Sequence, residues 1–147
     1  MATAQRNDPL RSFHFAVELE GITLAGGFSE CSGIAATTEP EEVNEGGLNS
    51  ASRKFVGRTK HDNLTLKRGL TQSAELYNWF LDAVRGKIQR KSGSIVLYDE
   101  RGKEAVRWNF VRGWPAKWEG PALNATGNDV AIETLEIAHE GLERERR

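Results

Sequence analysis

The stretch NDVAIETLEIAHEGL, residues 128–142, can be read in two ways, and the choice decides whether the chain carries one helix or two. As a helix capped by Asn128 or Asp129, it lines up Val130, Leu135, Ala138 and Leu142 along one side. As a strand, it gives Val130 and Ile132 to one face, then Leu135 and Ile137 to the other, with a bulge between. Spacing alone supports both.

Working outward, the neighbouring segment WNFVRGWPAKWEGPALNA (108–125) holds three of the four tryptophans and two of the four prolines. It continues GSIVLYDERGKEAVRWNFV, a hairpin pattern with a polar Asp-Glu-Arg-Gly turn and Val106, Trp108 and Phe110 on one face. Trp108 and Phe110 are expected in the core. At the other end, FHFAVELEG (13–21) alternates Phe13, Phe15, Val17 and Leu19 against His14, Ala16, Glu18 and Glu20, the period of a half-buried strand. KFVGRTKHDNLTLKRG (54–69) is strand-like again.

Only TQSAELYNWFLDAVRG has clear helical spacing, with Leu76, Phe80 and Val84 on one stripe. Thr71 or Ser73 stands ready to cap it and Gly86 to end it, giving a helix over about 72–85. From 37 to 53 all periodicity is lost, and this acidic, then Gly/Asn/Ser-rich run is expected to be a long loop. The fold class that follows is mainly β: a β-sandwich or barrel-like unit with one packed α-helix and that loop.

The chain has 147 residues, which suits one domain over 1–147, with flexible ends at 1–8 and 143–147. Twenty basic and 21 acidic side chains leave a net charge of −1, against the basic excess of a general nucleic-acid binder. The opening MATAQRNDPLRSF has no apolar core of a secretory signal, so synthesis in the cytoplasm is expected. No apolar run approaches the ~20 residues of a membrane-spanning helix. Cys31 is the only cysteine, and a small half-buried role suits it.

Signatures of chemistry are missing: no phosphate-cradling Gly-Lys-Ser/Thr loop and no Gly-x-Ser-x-Gly elbow occur. His14, His61 and His139 are far apart in sequence, each without a close partner. Neither an enzyme, a metal site nor a cofactor is expected. Trp114, Pro115, Trp118 and Pro121 admit three readings: a structural corner, a protein interface, or a platform for a sugar ring.

Charge gives a further hint, since Glu39, Glu41, Glu42 and Glu45 form an acidic block and Arg53, Lys54, Arg58 and Lys60 a basic one. They can solvate the surface or pair within one hairpin. Alternatively they make acidic and basic ends through which identical subunits stack.

Five segments taken together, PLRSFHFAVELEG, GFSECSG, GRTKHDNLTLKRGLT, RWNFVRGWPAKWEGPALNA and NDVAIETLEIAHEGL, resemble the tail-tube proteins of contractile phages. They are especially similar to inner-tube proteins of extracellular contractile injection systems, in the same order from about Pro9 to Leu142. The resemblance implies a barrel-like subunit that forms hexameric rings, stacked into a tube inside a sheath. Its implied partners are copies of itself, the sheath protein, baseplate, spike and tube-terminating proteins, and the payload or DNA in the lumen. Residues 37–60 would reach a neighbouring subunit or ring, and 128–142 would be a strand. The competing reading is a monomeric carbohydrate-binding β-sandwich that uses exposed tryptophans.

Overall fold

In the computed structural model, which describes residues 9–11, 14–22, 27–43 and 52–146, the described chain forms nine strands and one helix. They are β1 (Phe15–Leu19), β2 (Phe28–Ser32), β3 (Ala36–Val43), β4 (Arg53–His61), β5 (Leu64–Gly69), α1 (Glu75–Val84), β6 (Lys91–Tyr98), β7 (Glu104–Glu119), β8 (Ile132–Ala138) and β9 (Gly141–Arg144). All pairings are antiparallel. The body runs in the order β1-β6-β7-β8-β5-β2, with β9 added to β7. This is the mainly β, barrel-like fold with one packed helix that the sequence led us to expect.

β7 joins the two halves of the body. Its first part pairs with β6 and β9, and Trp114 onward pairs with β8. The strand turns between these parts at Arg112, whose φ of 53° is left-handed. The break between β8 and β9 follows the same turn. There the Glu140 N–H donates to the Val111 carbonyl at 3.1 Å, and the Glu140 carboxylate accepts from Arg112 Nε at 2.7 Å. The first and last strands of the order, β1 and β2, have no strand hydrogen-bonded to their outer edges among the described residues.

The alternating residues meet between the two halves: Val17 and Leu19 of β1, Leu64 and Leu66 of β5, Ile95 of β6, Phe110 of β7, Leu135 and Ile137 of β8, with Phe28 of β2. Phe110 lies where two side chains are missing. A Cβ on Gly113 would stand 2.8 Å from its ring, and one on Gly93 would collide with the ring and lie 2.5 Å from the Glu18 carbonyl oxygen. Those two glycines therefore set how closely β6 and β7 wrap the core. Trp108 is half-buried against the same cluster.

Residues 128–142 contain no helix. They become β8 and β9, and the supposed change of face is explained without a bulge in β8. Glu133, Leu135 and Ile137 are all buried on one face. Glu133 breaks the apolar pattern because it is a buried ion, opposite Arg68 in the β5–β8 register. Arg68 Nε donates to Glu133 Oε1 at 2.5 Å, and Trp118 Nε1 donates to Oε2 at 3.1 Å. The Arg68 guanidinium also stands 5.8 Å from the Phe28 ring centroid. A pair taken out of water in this way stabilises little over an apolar pair, but removal of one partner strands the other charge.

The helix is shorter than expected, and its apolar stripe is different. Ala74 occupies the N-cap with no side-chain bond, while Thr71 Oγ1 accepts from the Ser73 N–H at 3.2 Å instead. Gly86 does end it, at φ 83°. Its N–H donates to Ala83 O and that of Lys87 to Asp82 O, the paired bonds of a left-handed cap. Leu76 and Trp79 are the buried residues, whereas Val84 faces solvent. Trp79 Nε1 donates to the Gln89 carbonyl at 2.8 Å, and the Tyr77 ring meets Trp118 edge-on at 4.9 Å. These contacts lay α1 against the second half of β7.

Two expectations about irregular segments are corrected. Of the loop expected over 37–53, residues 37–43 lie in β3, which pairs with β4 as a separate two-stranded sheet, and Arg53 begins β4. β3 lacked a period of two in hydrophobicity because nearly every residue of this ribbon is exposed, so neither face is selected to be apolar. Glu45 and the rest of 44–51 lie outside the described residues. At the C-terminus, Glu143 and Arg144 belong to β9, and the Glu145 N–H donates to Arg107 O at 2.8 Å. That end is held in place because β9 pairs with β7 just before its bend.

Candidate functional site

The β3–β4 ribbon is an arm rather than part of the barrel. Across it Glu42 faces Lys54, while Arg53 stands opposite Val43 and Glu41 opposite Phe55. Lys60 Nζ is 3.0 Å from Glu39 Oε1, and the Thr38 and Thr59 hydroxyls meet at 3.1 Å. The acidic and basic blocks thus lie side by side in one hairpin, not at opposite ends of the molecule. Such cross-strand pairs supply pairing energy where apolar burial does not.

Midway, the register shifts between Thr38 and Pro40, because Gly57 and Arg58 stand where one residue is expected. Only glycine fits the first of these positions, since a Cβ on Gly57 would collide with the Glu39 carbonyl oxygen. Beyond the bulge, alternation puts Val43 and Phe55 on one face and Pro40 and Val56 on the other. Phe55 is 49% exposed and Val56 85%. Both faces of the distal arm therefore carry uncovered apolar side chains.

The root of the arm is fixed. Ala36 faces His61 at the base of the ribbon, and the Asp62 N–H donates to Ala35 O at 3.2 Å. His139, at the β8–β9 break, bonds through Nε2 to the Asp62 carbonyl at 3.0 Å, which requires that this nitrogen carry the proton. The His61 and His139 rings lie 5.3 Å apart. Burial, chiefly, and the neighbouring His61 hold the His139 pKa below its ordinary value. Two histidines 78 positions apart in sequence are thus neighbours, which separation along the chain had hidden.

Beside that root, between the open edges β1 and β2, lies a groove of about 310 Å³. Phe15, Ile34, Leu97 and Trp108 line it together with Leu10, Cys31 and Glu30. Burial, with a smaller contribution from Glu30, raises the Cys31 thiol to about 11, so the side chain behaves as an apolar wall at neutral pH.

The tryptophans that raised the sugar reading are differently placed. Trp114 and Pro115 follow the bend of β7 directly, and Pro115 is fully buried. Trp118 packs against the core, with its N–H bound to Glu133 and its ring flanked by Tyr77. Pro121 lies two residues beyond the end of β7. An indole held at its nitrogen and partly covered does not offer the open face a sugar platform needs. Among the described residues, no group of three or more His, Cys, Asp or Glu side chains could hold a metal ion. No helix among them is long and apolar enough to cross a membrane.

Known proteins with this arrangement point one way. The family described as T4-like virus tail tube protein gp19 matches residues 11–143. A chain in the structure of the anti-feeding prophage baseplate is 26% identical, covers 95% of this chain and 97% of its own, and superposes with a TM-score of 0.84. A chain of the sheath-tube complex of the extracellular contractile injection system PVC, in its extended state, is 22% identical over 93% of this chain and 91% of its own, with a TM-score of 0.83. Hcp1 from Flavobacterium johnsoniae shares the fold at 15% identity, over 88% of this chain and 94% of its own, with a TM-score of 0.52. No curated protein sequence is similar enough to count as a match. With nearly its whole length matched, and with the barrel, flanking helix and arm in place, the chain belongs to the T4-like virus tail tube protein family and is a structural tube subunit.

Proposed function

We propose that this subunit forms six-membered rings, that the rings stack into a hollow tube, and that payload or DNA passes through the lumen. The observation that carries the reading is the arm. An isolated two-stranded ribbon is marginally stable in water, yet this one extends from the body with apolar side chains uncovered on both faces. Contact with neighbouring copies covers them. The free edges of β1 and β2 point the same way, since unpaired strand edges invite pairing and a closed ring can satisfy them.

In this reading Glu39, Glu41, Glu42, Arg53, Lys54, Arg58 and Lys60 belong to contacts between subunits or rings, and Glu45 lies beside them in sequence. Trp114, Pro115, Trp118 and Pro121 shape the turn from one sheet to the next. The subunit carries out no reaction. Its partners are copies of itself, a sheath protein, baseplate and spike components and a tube terminator, within a phage tail or injection-system particle.

Negative-stain electron microscopy of the purified protein over a concentration series tests this. Rings or hollow tubes of uniform width are expected at high concentration. Dispersed single subunits, in the presence of a baseplate to nucleate assembly, would overturn the proposal.

A further inference from the structure

We propose that the His61–His139 pair is a proton-operated latch between the root of the arm and the seam of the barrel. Neutral rings hold the root in place, and acid frees it while the body stays folded. The latch belongs to the single subunit and does not depend on assembly.

Two passes of the chain make the root. They meet at Gly33, where φ is 88° and a Cβ would collide with the Asn63 carbonyl oxygen. The Ala35 N–H donates to the Gly33 carbonyl at 2.8 Å, and the Asp62 N–H to the Ala35 carbonyl at 3.2 Å. Two side-chain bonds then reach β8 and its end. Asn63 Nδ2 donates to Glu136 Oε1 at 3.0 Å, and His139 Nε2 to the Asp62 carbonyl at 3.0 Å. His139 stands in the break between β8 and β9, with the Phe110 ring 6.0 Å from its own. One imidazole therefore links core, seam and arm root.

Its tautomer makes the junction sensitive to protons. With the proton on Nε2, neutral His139 leaves Nδ1 bare. That atom and His61 Nδ1 are both shut off from water and have no hydrogen-bond partner. A second proton must enter on a buried nitrogen, beside another imidazole whose centroid is 5.3 Å away. Among the described residues no carboxylate is bonded to either ring. Glu140 is held by Arg112 at 2.7 Å and by Arg90 at 3.3 Å, Glu136 accepts from Asn63, and Asp62 is exposed. Burial outweighs the opposing backbone contacts of Asp62 and Gly141, which keeps the His139 pKa below its ordinary 6.5. Opening the junction restores that ordinary value, so protons bind the open form more tightly. The latch is closed above about pH 6.5 and opens as pH falls below it.

Hydrogen exchange followed by mass spectrometry on dispersed subunits reads the latch without assembly, so its failure is separate from that of the tube reading. Peptides covering 33–37 and 59–63 are compared at about pH 7.5 and pH 5, each corrected for the intrinsic pH dependence of exchange. Their corrected rates are expected to rise several-fold in acid, while peptides from β5 and β6 keep theirs. His139→Gln, whose amide still donates to the Asp62 carbonyl but takes up no proton, is expected to remove the difference. Equal corrected rates at the two pH values, or a difference that survives His139→Gln, overturn the latch. A rise spread evenly over root and body overturns it too, since acid would then unfold the whole subunit. If His139→Gln does not fold, an NMR titration of the unaltered protein decides. The Asp62 amide is expected to shift with the midpoint of the His139 ring, and a shift with any other midpoint contradicts the proposal.

Discussion

The barrel body and the arm are built from the same element, the antiparallel strand pair, yet they are stabilised by different means. In the body, β5 and β8 alternate buried and half-buried residues without a break. In the arm, β3 is exposed at every position. Burial of apolar area is the main driving force of folding, so the body can hold its shape alone. The arm relies on cross-strand pairs and a bulge that only Gly57 permits, and under the proposed function its apolar surfaces are completed by another copy. One region encodes the fold, and under the proposed function the other encodes the assembly.

The sharpest way to break that contrast lies in the body. Glu133→Leu should cost roughly 3–5 kcal/mol in urea unfolding, because it leaves the Arg68 cation buried and unpaired. Arg68→Met combined with Glu133→Leu should recover most of the loss. A double variant as unstable as the single one would mean that the pair holds the barrel by a direct interaction.

Gly93→Ala should cost about 1–3 kcal/mol, since the new methyl group meets the Phe110 ring and the Glu18 carbonyl. Gly57→Ala, by contrast, should leave the thermal transition of the body nearly unchanged and reduce tube formation. Similar melting losses in both variants would show that the arm is part of the folding unit.

Acid should act at the junction of the two regions. His139 has a folded pKa below its ordinary 6.5, so the unfolded chain takes up the proton first. Its contribution to stability is complete above about pH 6.5 and is lost as pH falls below that value. His139→Gln should flatten the slope of stability between pH 7 and pH 5. A slope unchanged by that substitution would exclude the histidine junction as its source.

The smallest effect is expected at the exposed Lys60–Glu39 pair. Lys60→Ala should change the stability of the dispersed subunit by about 0.2–1 kcal/mol at most. Changing Glu39, Glu41 and Glu42 together to Lys should impair assembly while the fold persists. Unchanged tubes would remove the acidic block from the assembly contacts.

The same contrast explains what could be read in the sequence. Val17–Leu19, Leu64–Leu66 and Val106–Phe110 reveal their strands because one face is buried and the other is wet. Periodicity failed where that asymmetry is absent or inverted. Thr37–Val43 lost the signal because nothing covers either face, and Ile132–Ile137 seemed to change face because a buried carboxylate stands at Glu133. The helix showed its end at Gly86, but Trp79 displaced Phe80 and Val84 as the buried anchor, because α1 lies against β7 through Trp79 and Tyr77. For assembly, the charged blocks were visible in the sequence, while their side-by-side pairing required the register. The groove was invisible, since its walls come from residues between Leu10 and Trp108 that only the fold brings together.

The most direct test of the division between body and arm is to excise the arm. Ala36 and His61 face each other at its base, so a two-residue Asn-Gly turn can replace residues 37–60. The account predicts one cooperative thermal transition within a few degrees of the full chain, on the order of the shift from a ~1 kcal/mol change, and no rings or tubes at any concentration. Tubes assembled without the arm, or a body that no longer folds, would contradict it.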